Sequence, residues 1–169
     1  MASKIPGQKK WKDLDLPDIR YLDRAYRRDP LAEVNAADSV EAAVEILELH
    51  LGFSSLGINA LQVSIETPIG KIIIQKDKIP HIVEKRQEAR ERFVLYAIDT
   101  LKNPYEIWEV KYDNNTSRLT YIGVYETRNQ MSVTVDIQDE HILWNFMHCE
   151  AKPLNRHRNG ELIYVATRD

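Results

Sequence analysis

EIWEVKY (106–112), RLTYIGVYET (118–127), QMSVTVDIQ (130–138) and HILWNFMH (141–148) follow one another with short polar breaks, and each places β-branched or aromatic residues at alternate positions. That period of two belongs to strands, whose successive side chains point to opposite faces of a sheet. Asp113-Asn114-Asn115 and Arg128-Asn129 have the turn chemistry to join these runs as hairpins. A last run, ELIYVAT (161–167), follows Asn159-Gly160. Meander-like connections of this length predict antiparallel pairing and argue against parallel βαβ order.

Upstream of the strands the period changes. Pro80 suits a first helical turn, and Ile82, Val83, Ala89, Phe93, Tyr96, Ala97 and Leu101 keep near-helical spacing until Asn103-Pro104, which predicts a helix from about 80 to 102. Before it, LQVSIETPIGKIIIQ (61–75) reads as a hairpin turning through Thr67-Pro68-Ile69-Gly70. A further amphipathic helix is signalled by Asp38 as N-cap, Glu41 three residues on, Val40, Ala43, Val44, Leu47 and Leu51 on one face, and Gly52 at its end. Residues 1–37 contain WKDLDLPDIRYLDRAYRRDP (11–30), dense in charge and broken by Pro17 and Pro30, as suits a segment wrapped on a core. The fold class is α+β, with N-terminal helices packed on an antiparallel β-sheet. The chain divides into an N-terminal extension (1–59) and a domain over 60–169.

Composition narrows the function classes. With 169 residues, 43% apolar and 29% charged, the chain is a globular protein of one domain plus an extension. No apolar run reaches the roughly 18 residues that span a bilayer, and the basic start MASKIPGQKK lacks an apolar stretch behind it, so neither a membrane segment nor a secretory signal is expected. A single cysteine, Cys149, forms no internal disulfide and no Cys-pair metal site, which points to the cytoplasm. A net charge of −3 argues against coating long duplexes, although KPLNRHR (152–158) is a local basic run that also reads as a solvated loop.

Phosphate-binding glycine loops, nucleophile elbows, zinc helices and calcium loops are absent. The five histidines are scattered, and His141 and His148, seven apart, take opposite faces of a regular strand, so no metal or cofactor is expected. His81 stands apart because it falls in the first turn after Pro80, where a neutral imidazole could serve as a general base or could simply pack the helix start. Arg86 and Arg90 share a helix face four residues apart, suiting either a phosphate or a salt-bridged surface. Asn145, Asn155, Arg158, Gly160 and Tyr164 offer an amide, a guanidinium and a phenol for a phosphodiester, and each also has a structural reading: solvent face, turn, positive φ or core. Trp108 and Trp144 read as packing residues.

The order HIVEKRQEARERF (81–93), IDTLKNPYEIWE (98–109), RLTYIGVY (118–125), LWNFM (143–147) and LNRHRNGELIYVA (154–166) resembles the phage-associated PBECR nuclease domains, named for likeness to Barnase, EndoU, the colicin tRNases and RelE. Such domains occur at the C-terminal end of phage head-morphogenesis proteins or as stand-alone toxins. The resemblance implies a Barnase/EndoU/colicin/RelE-like sheet and a metal-independent endoribonuclease whose RNA substrate, for instance a tRNA, supplies its own 2'-hydroxyl nucleophile and is left with a 2',3'-cyclic phosphate. Carried onto this chain, it implies His81, Arg90, Asn145, Arg158 and Tyr164 as catalytic residues and Arg86, Lys111, Tyr121, Lys152, Asn155 and Arg156 as RNA contacts, with no metal. A toxin of this kind implies an immunity or antitoxin partner. The competing expectation is a catalytically inactive binding or assembly module of phage origin.

Overall fold

The computed structural model describes residues 2–57 and 59–167, in which eight strands form one sheet covered by helices on one face and by the N-terminal segment on part of the other. The strands are β1 (Lys9–Lys10), β2 (Gln62–Thr67), β3 (Gly70–Gln75), β4 (Glu106–Lys111), β5 (Ser117–Gly123), β6 (Gln130–Ile137), β7 (His141–Cys149) and β8 (Asn159–Val165), in the spatial order β1-β8-β4-β5-β6-β7-β3-β2. The α+β expectation holds. β4 to β7 form the expected antiparallel meander, and β2–β3 the expected hairpin around Pro68-Ile69. Between the described strands, β3 and β7 pair in parallel through Ile73 and Ile142.

Helix α1 (Val40–Leu51) and the single turn α2 (Phe53–Leu56) cover the main core together with α3 (Ile79–Val83) and α4 (Val94–Lys102). α1 begins one residue later than its sequence suggests: Ser39, not Asp38, caps it, with its hydroxyl accepting from the Ala42 N–H at 3.1 Å. It ends at Gly52, whose φ of +102° is open to glycine at little cost. Leu47, Ile72, Ile82, Val94, Leu101, Tyr121 and Val133 are fully or almost fully buried between helices and sheet. A second core lies on the opposite face, where Trp108 and Ile122 are roofed by Ile19, Leu22 and Leu154, the last from α5 (Ala151–Leu154). Among the described residues no helix is long and apolar enough to cross a membrane.

Two irregularities shape the molecule. The helix expected over 80–102 is broken: after α3 the chain makes a turn, Ala89 adopts φ of +43°, and a 3-10 turn over Arg90–Phe93 leads into α4. The reason lies in EKRQEARER (84–92), whose only apolar residue is Ala89, so a continuous helix there has almost nothing to bury. Polar contacts win instead. Arg86 donates to the carbonyl oxygens of Val83 (3.1 Å) and Ala37 (2.9 Å) and grips fully buried Glu91 through two hydrogen bonds of 2.8 and 2.5 Å. The second irregularity is a bulge in β7: Thr134 of β6 faces Asn145, whereas the next residue, Val135, faces Leu143. The extra residue lets Leu143 and Phe146 both enter the main core although they are three apart. It also returns His141 and His148 to the same phase of the alternation, with about 20 Å of strand between them, in place of the opposite faces of a regular strand.

Burial alone pushes the Glu91 carboxyl up, but the Arg86 bonds and the N–H of Ala37 outweigh it and hold it below the usual carboxylate range. Glu91→Gln is therefore expected to cost about 3 kcal/mol at neutral pH by stranding the Arg86 charge. A depressed pKa in the folded state means that the stabilisation is complete above the ordinary glutamate value of about 4.3 and is lost as pH falls through the folded value. The gap between wild type and variant in urea unfolding should shrink progressively as the pH is lowered below about 4.3; an undiminished gap at low pH refutes the role.

Candidate functional site

The bulge in β7 turns two consecutive residues toward the broken helix. Asn145 uses its Oδ1 twice, accepting from the N–H of Phe146 at 2.8 Å and from Nη1 of Arg90 at 2.8 Å. Its amide nitrogen has no partner among the described residues. Arg90 is only 7% exposed, and its Nη2 lies 2.7 Å from Oε2 of Glu88. The Arg90 Nε is buried without a hydrogen-bond partner, and the Glu88 contact lacks hydrogen-bond geometry at Oε2. A buried guanidinium held this incompletely costs stability, and such expense is concentrated at sites that use the charge.

Trp144 is the centre of the site. Its ring lies 4.7 Å from the His81 imidazole, centroid to centroid, at an interplanar angle of 48°. The Arg118 guanidinium sits 5.0 Å from the Trp144 ring centre and the Lys78 ammonium 5.9 Å. Arg118 is steered by Asp136, which accepts from its Nε at 2.6 Å, and it also overlies Tyr112. The His81 side chain is 42% exposed, and its Nδ1 lies 3.3 Å from Oε1 of Glu84. It is the third residue of α3, with Pro80 before it in the first turn as the sequence suggests. Behind the site His148 stacks on Phe93 at 3.9 Å, and its pKa is lowered by burial and by the neighbouring Arg92 and Arg90 charges, against the opposing pull of Glu88. The arrangement offers an accessible imidazole beside an aromatic face, ringed by cations, with an amide N–H pair alongside: the equipment for handling a phosphodiester next to a stacked base.

The expected residues thus fall into two groups. Arg90 meets Asn145, and His81 packs on Trp144, the residue before Asn145. Arg158 and Tyr164 do not join them: they belong to the region of β8, four strands from β7, a separation of about 19 Å at 4.8 Å per strand. Arg158 is also fully buried, donating to both Glu106 oxygens (2.6 and 2.8 Å), to the Pro17 carbonyl (2.8 Å) and to Asn155 Oδ1 (3.0 Å), so every arm is occupied and none meets a phosphate. Asn155 is a structural link as well, accepting from the Ile19 N–H and donating to Asp18. Tyr121 lies in the core with its hydroxyl 3.0 Å from that of Thr67, burial raising its pKa. Arg86 is spent on Glu91. Tyr164 is half-buried and lines a cavity of about 720 Å³ with Tyr26, Arg28 and Tyr105. Lys111, Lys152 and Arg156 are exposed.

Trp144, Lys78 and Arg118 were not singled out by their sequence as site residues. HILWNFMH reads as an ordinary strand, and only the bulge reveals that Trp144 leaves the packing phase. No three His, Cys, Asp or Glu side chains cluster as a metal site among the described residues.

Residues 50–165 match the family model described as phage-Barnase-EndoU-ColicinE5/D-RelE like nuclease. No curated protein and no solved structure matches the chain. The matched span includes the whole cluster around Trp144 but not the N-terminal segment that roofs the second core.

Arg158→Ala should cost about 3–5 kcal/mol, because it leaves Glu106 charged and buried without its partner. Arg158→Met combined with Glu106→Gln, which keeps an acceptor for the Trp108 indole N–H, should recover most of that loss in urea unfolding. An Arg158→Ala protein as stable as wild type would remove the structural assignment.

Proposed function

The chain belongs to the phage-Barnase-EndoU-ColicinE5/D-RelE like nuclease family, and from that membership we propose that it is a toxin-type endoribonuclease that cleaves RNA, such as a tRNA, without a metal ion. It acts in the cytoplasm of a bacterial target and is encoded by a phage or mobile element. The observation that supports this reading best is the accessible His81 imidazole packed against Trp144 beside the Arg90–Asn145 pair. RNA carries its own nucleophile, so the protein has three tasks: to take the 2'-hydroxyl proton, to offset the charge that builds on the phosphorus oxygens, and to return a proton to the leaving 5' oxygen.

In this reading His81 exchanges the proton at the 2'-hydroxyl or at the leaving oxygen. Arg118 and Lys78 offset phosphate charge, Arg90 fixes Asn145, and the Asn145 amide N–H groups orient a phosphate oxygen. Trp144 offers its face to a base, a contact that every base can make. Arg158 acts on the reaction only through the fold. An immunity or antitoxin protein that covers this cationic cluster with acidic groups is the corresponding partner. The separation of Arg158 and Tyr164 from the cluster favours one other reading, a catalytically inactive binding or assembly module.

Incubation with total bacterial RNA and defined tRNA in excess chelator should give discrete products ending in 2',3'-cyclic phosphate. His81→Ala should lower the rate at least 100-fold, within the range of general acid–base catalysis, and Asn145→Ala should lower it with retained folding. Wild-type rates from His81→Ala would overturn the assignment, and intact RNA from a folded wild-type protein would favour the binding module.

A further inference from the structure

The net charge of −3 conceals a concentration of cations at the β1–β8 edge of the sheet. Lys10 and Lys12 from the N-terminal segment, with Lys152 and Arg156 around α5, line a cleft of about 420 Å³ whose floor includes Trp11 and Arg158. Among the described residues the acidic side chain on its wall is Asp18, and it is already engaged. Asp18 accepts from Arg20 through its side chain (2.9 Å) and backbone N–H (2.9 Å) and from Asn155 (2.9 Å), which together hold its carboxyl far below the usual range. The charge of Arg158 is likewise cancelled by Glu106. The side chains of Lys10, Lys12, Lys152 and Arg156 form no salt bridge among the described residues, although the Lys10 backbone N–H donates to Asp13 at 2.8 Å.

The neighbouring His157 bonds Ser132 through Nδ1 (2.9 Å), and its neutral form is favoured by burial and then by the charges of Lys4 and Arg156. Four cationic side chains without a salt bridge around a partly enclosed concavity make a local positive potential that selects a polyanion. The Arg158 guanidinium lies 5.1 Å from the Trp11 ring centre and the Lys12 ammonium 5.4 Å. A lining this rich in cations suits phosphate groups.

We propose that this cleft is a docking site for the phosphate backbone of RNA, separate from the His81 cluster, and that Lys10 and Lys12 supply half of its charge. The inference takes RNA as the polyanion from the nuclease reading above. Lys10 and Lys12 lie outside the residues that match the family model, so the site is an addition of this chain's N-terminal segment. The cleft and the His81 cluster stand near opposite sides of the meander, so RNA seated at both is gripped several nucleotides from the bond that is cut. Backbone contacts of this kind position without reading sequence.

The test measures binding on the His81→Ala chain, which removes turnover, by anisotropy of a labelled oligouridylate and of tRNA across a salt series. Replacing Lys10, Lys12, Lys152 and Arg156 together with Gln should flatten the slope of log affinity against log salt by about 3, at roughly 0.7 for each phosphate no longer neutralised. Lys71→Gln, an exposed lysine of β3, should leave it unchanged. An unchanged slope in the quadruple variant overturns the proposal, as does displacement of the RNA by polyglutamate at equal charge, which would make the ligand an acidic protein. In the His81-containing chain the quadruple variant should lose tRNA cleavage while keeping cleavage of a dinucleotide. Salt-dependent binding that needs the cleft, with no cleavage of any RNA by wild type, would sustain the docking site and defeat the nuclease reading.

Discussion

The Arg158 guanidinium is the joint on which the second layer of this protein hangs. An arginine without solvent contact must find a partner for its donors and a counter-charge, and here β4, the N-terminal segment and the turn after α5 each supply part of that requirement. The bidentate pairing with Glu106 fixes orientation as well as charge, because the planar fork accepts a carboxylate in one geometry. Glu106 also accepts from the Trp108 indole, so the ion pair and the largest apolar side chain of the second core are set together. Gly160 completes the arrangement: with φ of +111° and an added Cβ falling 2.1 Å from the Glu109 carbonyl oxygen, only glycine lets β8 close on β4 beside this pair.

A different kind of constraint makes the candidate site. β7 must send Leu143 and Phe146 into the core and still pair with β6, and the residue it sheds to do so is the one that carries the accessible aromatic surface. Opposite it, the helix breaks because its middle has nothing apolar to bury, which frees Arg90 to leave the helical path for Asn145 while Arg86 turns inward to Glu91. A regular strand and a continuous helix would have kept the two arginines on one face and the tryptophan in register. The site is the product of two departures from ideal geometry that meet.

The meander, the β2–β3 hairpin, the Gly52 stop and the positive φ of Gly160 were legible because each depends on neighbouring residues: alternation, turn chemistry, a missing Cβ. The break between Val83 and Arg90 was less so, since Ile82, Val83, Ala89 and Phe93 keep a helical spacing across a gap that cannot pack. The fate of Arg158 was invisible, because its partner Glu106 lies in another strand distant in sequence, and a lone arginine in a basic run looks available for phosphate. His81 stands out by its place after Pro80 and Arg90 by its spacing from Arg86, while the roles expected of them come from the order of motifs. The Arg90–Asn145 and His81–Trp144 contacts sit at the bulge, which no alternation count contains.

The β2–β3 hairpin is tied to the remaining strands by a single bridging pair, Ile73 with Ile142, and otherwise by side chains such as Ile72 and Ile74 buried under the helices. Its attachment is thus a matter of apolar contact far more than of ladder hydrogen bonds. The chain leaves β3 directly into Lys78 and His81, so the imidazole is carried by the segment that follows this hairpin, whereas Trp144 and Asn145 belong to β7. The two halves of the candidate site therefore face each other across the seam where the hairpin joins the meander, the place in the sheet with the fewest backbone bonds across it.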